Sequence, residues 1–137
     1  MDFRVHDENY GAFDGFLDTK YIGVDVPRVT KVPVTTLDIY SKQVGLKRLD
    51  LLKIDVEGAE LFVLRGAREV LSNLRPAVLF EVGYRNLRPY AILPSDIFRF
   101  LDDIGYRVMD LTNRTLSEVE FSHASVDEHE FIAMPKT

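Results

Sequence analysis

Apolar positions change their spacing several times along this chain, and each change marks an element. Val63, Leu64, Ala67, Leu71 and Leu74 recur at three- and four-residue steps, which predicts a helix over residues 59–74 with one buried stripe. Gly66 lies inside it, and a mid-helix glycine costs about 1 kcal/mol relative to alanine. Either the helix breaks there or a neighbour packs too closely to allow a side chain. Pro76 stops it. Residues 77–82 are apolar almost throughout until Glu81, the pattern of a strand covered on both faces. Helical spacing returns at Ile97, Phe98, Leu101 and Ile104, with Ser95 as the expected cap and Gly105 as the end. A shorter helix is predicted from Thr36 to about Val44, ended by Gly45. Further strands are expected over 32–36, where β-branched residues concentrate, and over 49–56, 106–111 and 129–134. Residues 83–94 and 112–126 read as loops.

The first thirty residues are less regular. Residues 3–5 suit a short strand, and 7–15, rich in Asp, Asn and Gly, suit a turn. Tyr10, Phe13 and Phe16 in that turn are aromatics of the kind that pack onto a core, and Pro27 interrupts the next strand. From residue 31 onward strands and helices alternate. That order implies one α/β domain over 1–137 with a mainly parallel sheet. The last two strands lack a helix between them, so they are expected to pair antiparallel, directly or around a neighbour.

Charge narrows the function. The formal net charge is −5, which argues against a dedicated nucleic-acid binder and against adhesion to anionic membranes. With no cysteine, disulfides, thiolate metal sites and cysteine nucleophiles are excluded. His6, His123 and His129 match no zinc spacing. No apolar run approaches membrane-spanning length, and the N-terminus lacks a signal-peptide core. These features point to a soluble, cytoplasmic protein.

The candidate chemistry sits on the strand over 49–56. Strand alternation turns Leu52, Ile54 and Val56 one way and Lys53, Asp55 and Glu57 the other. Ionised groups are costly to bury unless paired or used. In open parallel sheets ligands bind beyond the carboxyl ends of the strands. Asp55 and Glu57 lie at one such end and Glu81 at the end of the next strand, so the three carboxylates are expected to converge on one rim. Asp110 ends another strand and is placed to join them. Such acids serve as a general base, a cation site or acceptors for substrate hydroxyls. Structural roles compete with these. Lys53 suits an ion-pair partner beneath the acids, Glu60 and Asp38 suit first-turn acids, and Arg85 and Arg88 suit a solvated loop face. Asn113-Arg114-Thr115 matches a glycosylation acceptor only by chance frequency. No glycine-rich turn follows a buried strand, so nothing here reads as a nucleotide-binding loop.

The run Asp50-Leu51-Leu52-Lys53-Ile54-Asp55-Val56-Glu57-Gly58-Ala59-Glu60, followed by Val63-Leu64-Arg65-Gly66-Ala67, closely resembles the signature of FkbM-family methyltransferases. Val34-Thr35-Thr36-Leu37-Asp38 and Pro76-Ala77-Val78-Leu79-Phe80-Glu81 resemble its flanking segments. The resemblance implies a partial Rossmann-like class I methyltransferase sheet, with the last strand inserted antiparallel between its two predecessors. It implies S-adenosylmethionine as cofactor and O-methylation of a hydroxyl on a natural product, sugar or lipid, with no metal required. Asp55 and Glu57 would face cofactor and substrate, either serving as base, and Glu81 would end the following strand. The family's glycine-rich loop and ribose-binding acid precede the region matched here. The chain therefore resembles the C-terminal portion of the domain, and calorimetry with S-adenosylmethionine is expected to show weak binding or none. The alternative is a non-catalytic remnant that self-associates through an exposed sheet edge as a homo-oligomer.

Overall fold

The computed structural model describes residues 1–5, 28–127 and 129–137. The turn expected over 7–15, the aromatics Tyr10, Phe13 and Phe16, and the interruption at Pro27 lie outside the described residues. Strands β1 (Asp2–Val5) and β2 (Arg28–Lys31) pair antiparallel, with Phe3 opposite Thr30. The strand expected over 32–36 does not form. Pro33 has no N–H to offer a ladder, and Val34 is left 58% exposed.

Helix α1 (Leu37–Val44) starts where the Thr36 hydroxyl accepts the Ile39 N–H, and it ends at Gly45 in the left-handed conformation. Strand β3 (Leu51–Ile54) is shorter than the predicted 49–56. The long helix predicted after it is two helices, α2 (Glu60–Arg65) and α3 (Arg68–Leu74). The first alternative at Gly66 holds, and the second holds only as a tight fit. The helix breaks there, and an added Cβ would stand 3.1 Å from the Thr36 side chain.

Ala67 cannot cap α3, so the cap comes from a residue distant in sequence. The Asp38 carboxylate accepts the Val70 N–H at 2.9 Å and the Glu69 N–H at 3.0 Å. Asp38 N–H in turn donates to the Gly66 carbonyl at 2.9 Å. The segments Thr36–Asp38 and Gly66–Val70 thus hold each other in place.

Strand β4 (Ala77–Val82) has the predicted bounds. The region expected as a loop over 83–94 carries a short helix, α4 (Tyr84–Leu87), and a 3-10 turn over Arg88–Tyr90. Helix α5 (Pro94–Asp103) is capped at Leu93 rather than at Ser95. Pro94 takes the first helical position, where a missing N–H costs nothing, and the Asp96 carboxylate accepts the Leu93 N–H at 2.9 Å. After strand β5 (Tyr106–Met109), the polar stretch 112–126 holds a helix, α6 (Glu118–Ala124). Ser117 and Glu120 cap it reciprocally. Strand β6 (His129–Pro135) closes the chain.

The main sheet has the order β3-β4-β6-β5. Strands β3 and β4 are parallel, and β6 lies antiparallel between β4 and β5. The last strand inserts between β4 and β5 and removes the parallel pairing those two strands could have made. One pairing is thus parallel and two are antiparallel, so the sheet is mixed rather than mainly parallel as expected. Its buried face presents Ile54, Val78, Phe80, Tyr106, Val108, Phe131 and Ala133 to Leu61 and Leu64 of α2, Leu71 of α3, Ile97 and Leu101 of α5, and Phe121 of α6. Phe80, Phe121 and Phe131 meet with ring centroids 4.6 to 6.2 Å apart. The opposite face is only partly covered among the described residues. Along β4 burial alternates, so the near-continuous apolar run does not mark a strand enclosed on both sides. No helix among the described residues is long and apolar enough to cross a membrane.

Candidate active site

The chain leaves β3 after Ile54 and turns sharply before α2. Glu57 at the turn has φ 51 and Gly58 has φ 97. A left-handed backbone at a residue with a side chain costs about 1–2 kcal/mol. It persists only where the surroundings impose it. Three contacts impose it here. The Glu60 carboxylate folds back, and Oε1 accepts the Gly58 N–H at 3.1 Å and the Val56 N–H at 3.4 Å. Gly58 lies against the 83–90 segment so closely that an added Cβ would fall 2.0 Å from the Asn86 carbonyl oxygen. The Asn86 side-chain amide donates to Glu57 Oε2 at 3.0 Å.

Glu60 is the least solvated acid at this turn, 2% exposed, and its Oε2 meets no donor among the described residues. Burial raises its pKa above the ordinary carboxylate value. The N–H bonds from the turn and the helix start oppose that rise without cancelling it. Its reading as a simple first-turn acid is therefore incomplete. Asn86, 5% exposed, is the other residue that pattern reasoning passed over. An asparagine in a region read as a loop carries no periodicity, and only the fold brings it to Glu57.

The predicted acids do not all meet. Asp55 is 46% exposed and pairs with Lys53 at 3.2 Å, the partner expected for it. Because the turn rotates the backbone after Ile54, strand alternation does not govern Glu57. Ile54 stands opposite Phe80, so Asp55 and Glu81 take the next positions on neighbouring strands at one rim. Glu81 lines a cavity of about 650 Å³ together with Asp110, His129 and Glu130. Neither Asp55 nor Glu57 lines it. Glu81 stands directly across from Glu130 in the ladder. Asp110 is held by its own loop, accepting from the Thr112 hydroxyl and N–H and from Arg114, contacts that lower its pKa. Asp38 caps α3 and is not placed as a ligand. No cluster of three or more metal-ligating side chains occurs among the described residues.

A second cavity, about 400 Å³ and mostly apolar, is lined in part by residues of the turn. Thr36, Val56, Ala59, Phe62 and Tyr90 line it. Phe62 and Tyr90 stand with ring centroids 5.9 Å apart. The turn thus carries a held carboxylate at Glu57 and contributes Val56 and Ala59 to an apolar hollow of a size suited to a small organic ligand. The acceptor set suits part of S-adenosylmethionine, because carboxylates accept from ribose hydroxyls and from an ammonium group. A glycine-rich cradle is lacking among the described residues.

The chain matches the family model of the methyltransferase FkbM domain over residues 8–108. It is similar to methyltransferase sdnD of Sordaria araneosa, 44% identical over 64 residues. That stretch covers 47% of this chain and 23% of the relative, so the chain spans about a quarter of that protein. No solved structure matches the chain.

Proposed function

This chain belongs to the FkbM methyltransferase family, and on that premise we propose that it carries the acid-bearing portion of an S-adenosylmethionine-dependent class I domain that methylates a hydroxyl of a small molecule. The observation that carries the reading is Glu57, held by Asn86 at the turn after β3 whose neighbouring residues Val56 and Ala59 line an apolar cavity. The antiparallel last strand between β4 and β5 supports the class I assignment.

Bound S-adenosylmethionine would supply an electrophilic methyl group. The chain's own task is to orient the acceptor and remove its proton. Glu57 is the better base of the two strand-end acids, because its carboxylate is held in place whereas Asp55 is a surface partner of Lys53. The Glu57 carboxylate is placed to take the proton of the acceptor hydroxyl, whose oxygen would take the methyl group of the bound cofactor and leave it as the neutral thioether. Asp55 would be the rim residue to accept from cofactor hydroxyls. The apolar cavity would hold the body of the acceptor, whereas Glu81 lines the separate cavity with Asp110.

The test uses the protein expressed from its complete reading frame, tritiated S-adenosylmethionine and a panel of hydroxylated acceptors. A positioned general base contributes about 10²–10⁴-fold. Glu57→Gln is expected to lower label transfer by at least that lower bound, and Asp55→Asn by about tenfold or less. No transfer by the wild type, or equal transfer by Glu57→Gln, overturns the reading.

A second reading, self-association, rests on β3 standing at one end of the strand order with Leu51 57% exposed. It predicts dimers in sedimentation; a monomer across all concentrations removes it.

A further inference from the structure

We infer that Glu60 and Asn86 are positioning residues for Glu57, acting from the two sides of one turn. The inference rests on the proposed role of Glu57 as base and extends it to the residues that aim that base.

Glu60 occupies a place where a carboxylate is a poor choice for stability alone. It is 2% exposed, and one of its oxygens finds no donor among the described residues. Leaving a buried polar atom unsatisfied carries a desolvation penalty. The other oxygen binds the N–H groups of Val56 and Gly58, the residues on either side of Glu57. Those two bonds draw the backbone around Glu57 into its left-handed conformation. A costly group that clamps a strained residue is the pattern found at functional sites, where geometry outranks stability.

Asn86 completes the clamp from α4. Its backbone carbonyl lies against Gly58, where only glycine fits, and its side chain donates to Glu57 Oε2 at 3.0 Å. The side chain of Asn86 thus reports on the turn, because its acceptor is the carboxylate of the left-handed residue at the turn's centre. Asp55, outside the clamp, has no such reporter.

The experiment has two independent arms. In the first, the Asn86 side-chain amide of the isolated chain is followed by proton–nitrogen NMR. Wild type is expected to show distinct, slowly exchanging amide protons at this group. Glu60→Gln keeps an acceptor oxygen in the turn and preserves that signature. Glu60→Ala loses it, and the amide moves to solvent-exposed values. In the second arm, methyl transfer by the complete protein is compared. Misplacement of a reacting group by about 1 Å can cost about 10²-fold in rate. Glu60→Ala is expected to lower kcat by about 10–100-fold with KM within about threefold, and Glu60→Gln to restore kcat to within about threefold. If Glu60→Ala does not fold, Asn86→Leu replaces it, with the same expected loss in kcat and spared KM.

The inference is overturned if Glu60→Ala keeps both the Asn86 signature and kcat, or if Glu60→Gln falls as far as Glu60→Ala. It is equally overturned if Asn86→Leu keeps the wild-type kcat. A wild type that transfers no methyl overturns the enzymatic reading alone, and the NMR arm still decides whether Glu60 closes the turn.

Discussion

Gly58→Ala is the sharpest single perturbation of this molecule. Two costs combine at that position. The backbone φ of 97 lies in the region that side chains rarely adopt, a cost of about 1–2 kcal/mol or more. The new methyl would stand 2.0 Å from the Asn86 carbonyl oxygen, and 2.5 Å from its carbonyl carbon. Those are backbone atoms, and they cannot rotate away as a side-chain tip can. Separation to an ordinary contact requires the 83–87 turn to move by more than an ångström, which strains the Gly83 carbonyl bonds to the Asn86 and Leu87 N–H groups. Overpacking of this kind costs about 1–3 kcal/mol. The sum is about 2–5 kcal/mol, a large part of a domain's usual 5–15 kcal/mol. Urea unfolding followed by circular dichroism measures it, and with a slope of about 2 kcal/mol per molar the midpoint should fall by about 1–2.5 M. Gly45→Ala is the internal control. Its φ of 65 carries the backbone cost, but nothing lies within 4 Å of an added Cβ, so about 1 kcal/mol is expected. If the two variants unfold at the same urea concentration, the close approach of Asn86 to the turn is refuted.

Four further outcomes follow from the same geometry. Asp38→Ala removes the acceptor for two N–H groups of α3 and should cost about 1–2 kcal/mol, read as a lower urea midpoint; an unchanged midpoint refutes the interlock. Tyr106→Phe leaves the Leu71 and Pro76 carbonyls without the phenol donor and should cost about 1–2 kcal/mol. Burial pushes that phenol up to about 12, so wild-type stability should decline as pH rises from 10 towards 12, and the Phe variant should lack that decline. Glu60 has a raised pKa in the folded state, so the folded form binds the proton more tightly and its contribution is fullest below the ordinary value of 4.5 and is lost as pH climbs through the raised one. Wild type should therefore lose stability relative to Glu60→Gln as pH rises above 4.5, and parallel pH–stability curves contradict this. On the acid side, Glu120 is held at about 2 by Ser117 and Arg114, so its contribution is present above 4.5 and lost as pH falls towards 2, a loss that Glu120→Gln should flatten.

Much of the fold was legible because its signals are local. The bounds of β4 follow from a run of apolar residues stopped by Pro76 and Gly83. Helix α1 follows from Thr36 and Gly45, each of which has a direct effect on the backbone. Other signals were present but outweighed. Pro33 ends the ribbon at Lys31 although valines surround it, because a missing N–H outranks β-branched propensity. Ser117-x-x-Glu120 announces α6, but Phe121 is the one buried residue of that helix, so no apolar stripe accompanies it. Pro94 moves the start of α5 ahead of Ser95.

The site divides in the same way. By itself, the sequence determined that acids stand at the ends of β3 and β4, since strand ends and charge can be read along the chain, and its resemblance to the FkbM family agrees with the match over residues 8–108. Tertiary structure alone decided which groups meet. Glu57 leaves the strand parity at a left-handed turn and finds Asn86, 29 residues on. Glu81 shares its cavity with Asp110 and not with Glu57. Asp38, which reads as a first-turn acid, caps a helix 31 residues away. Hydrogen-bond partners are chosen by proximity and by the absence of water, and both are properties of the packed chain rather than of spacing along it.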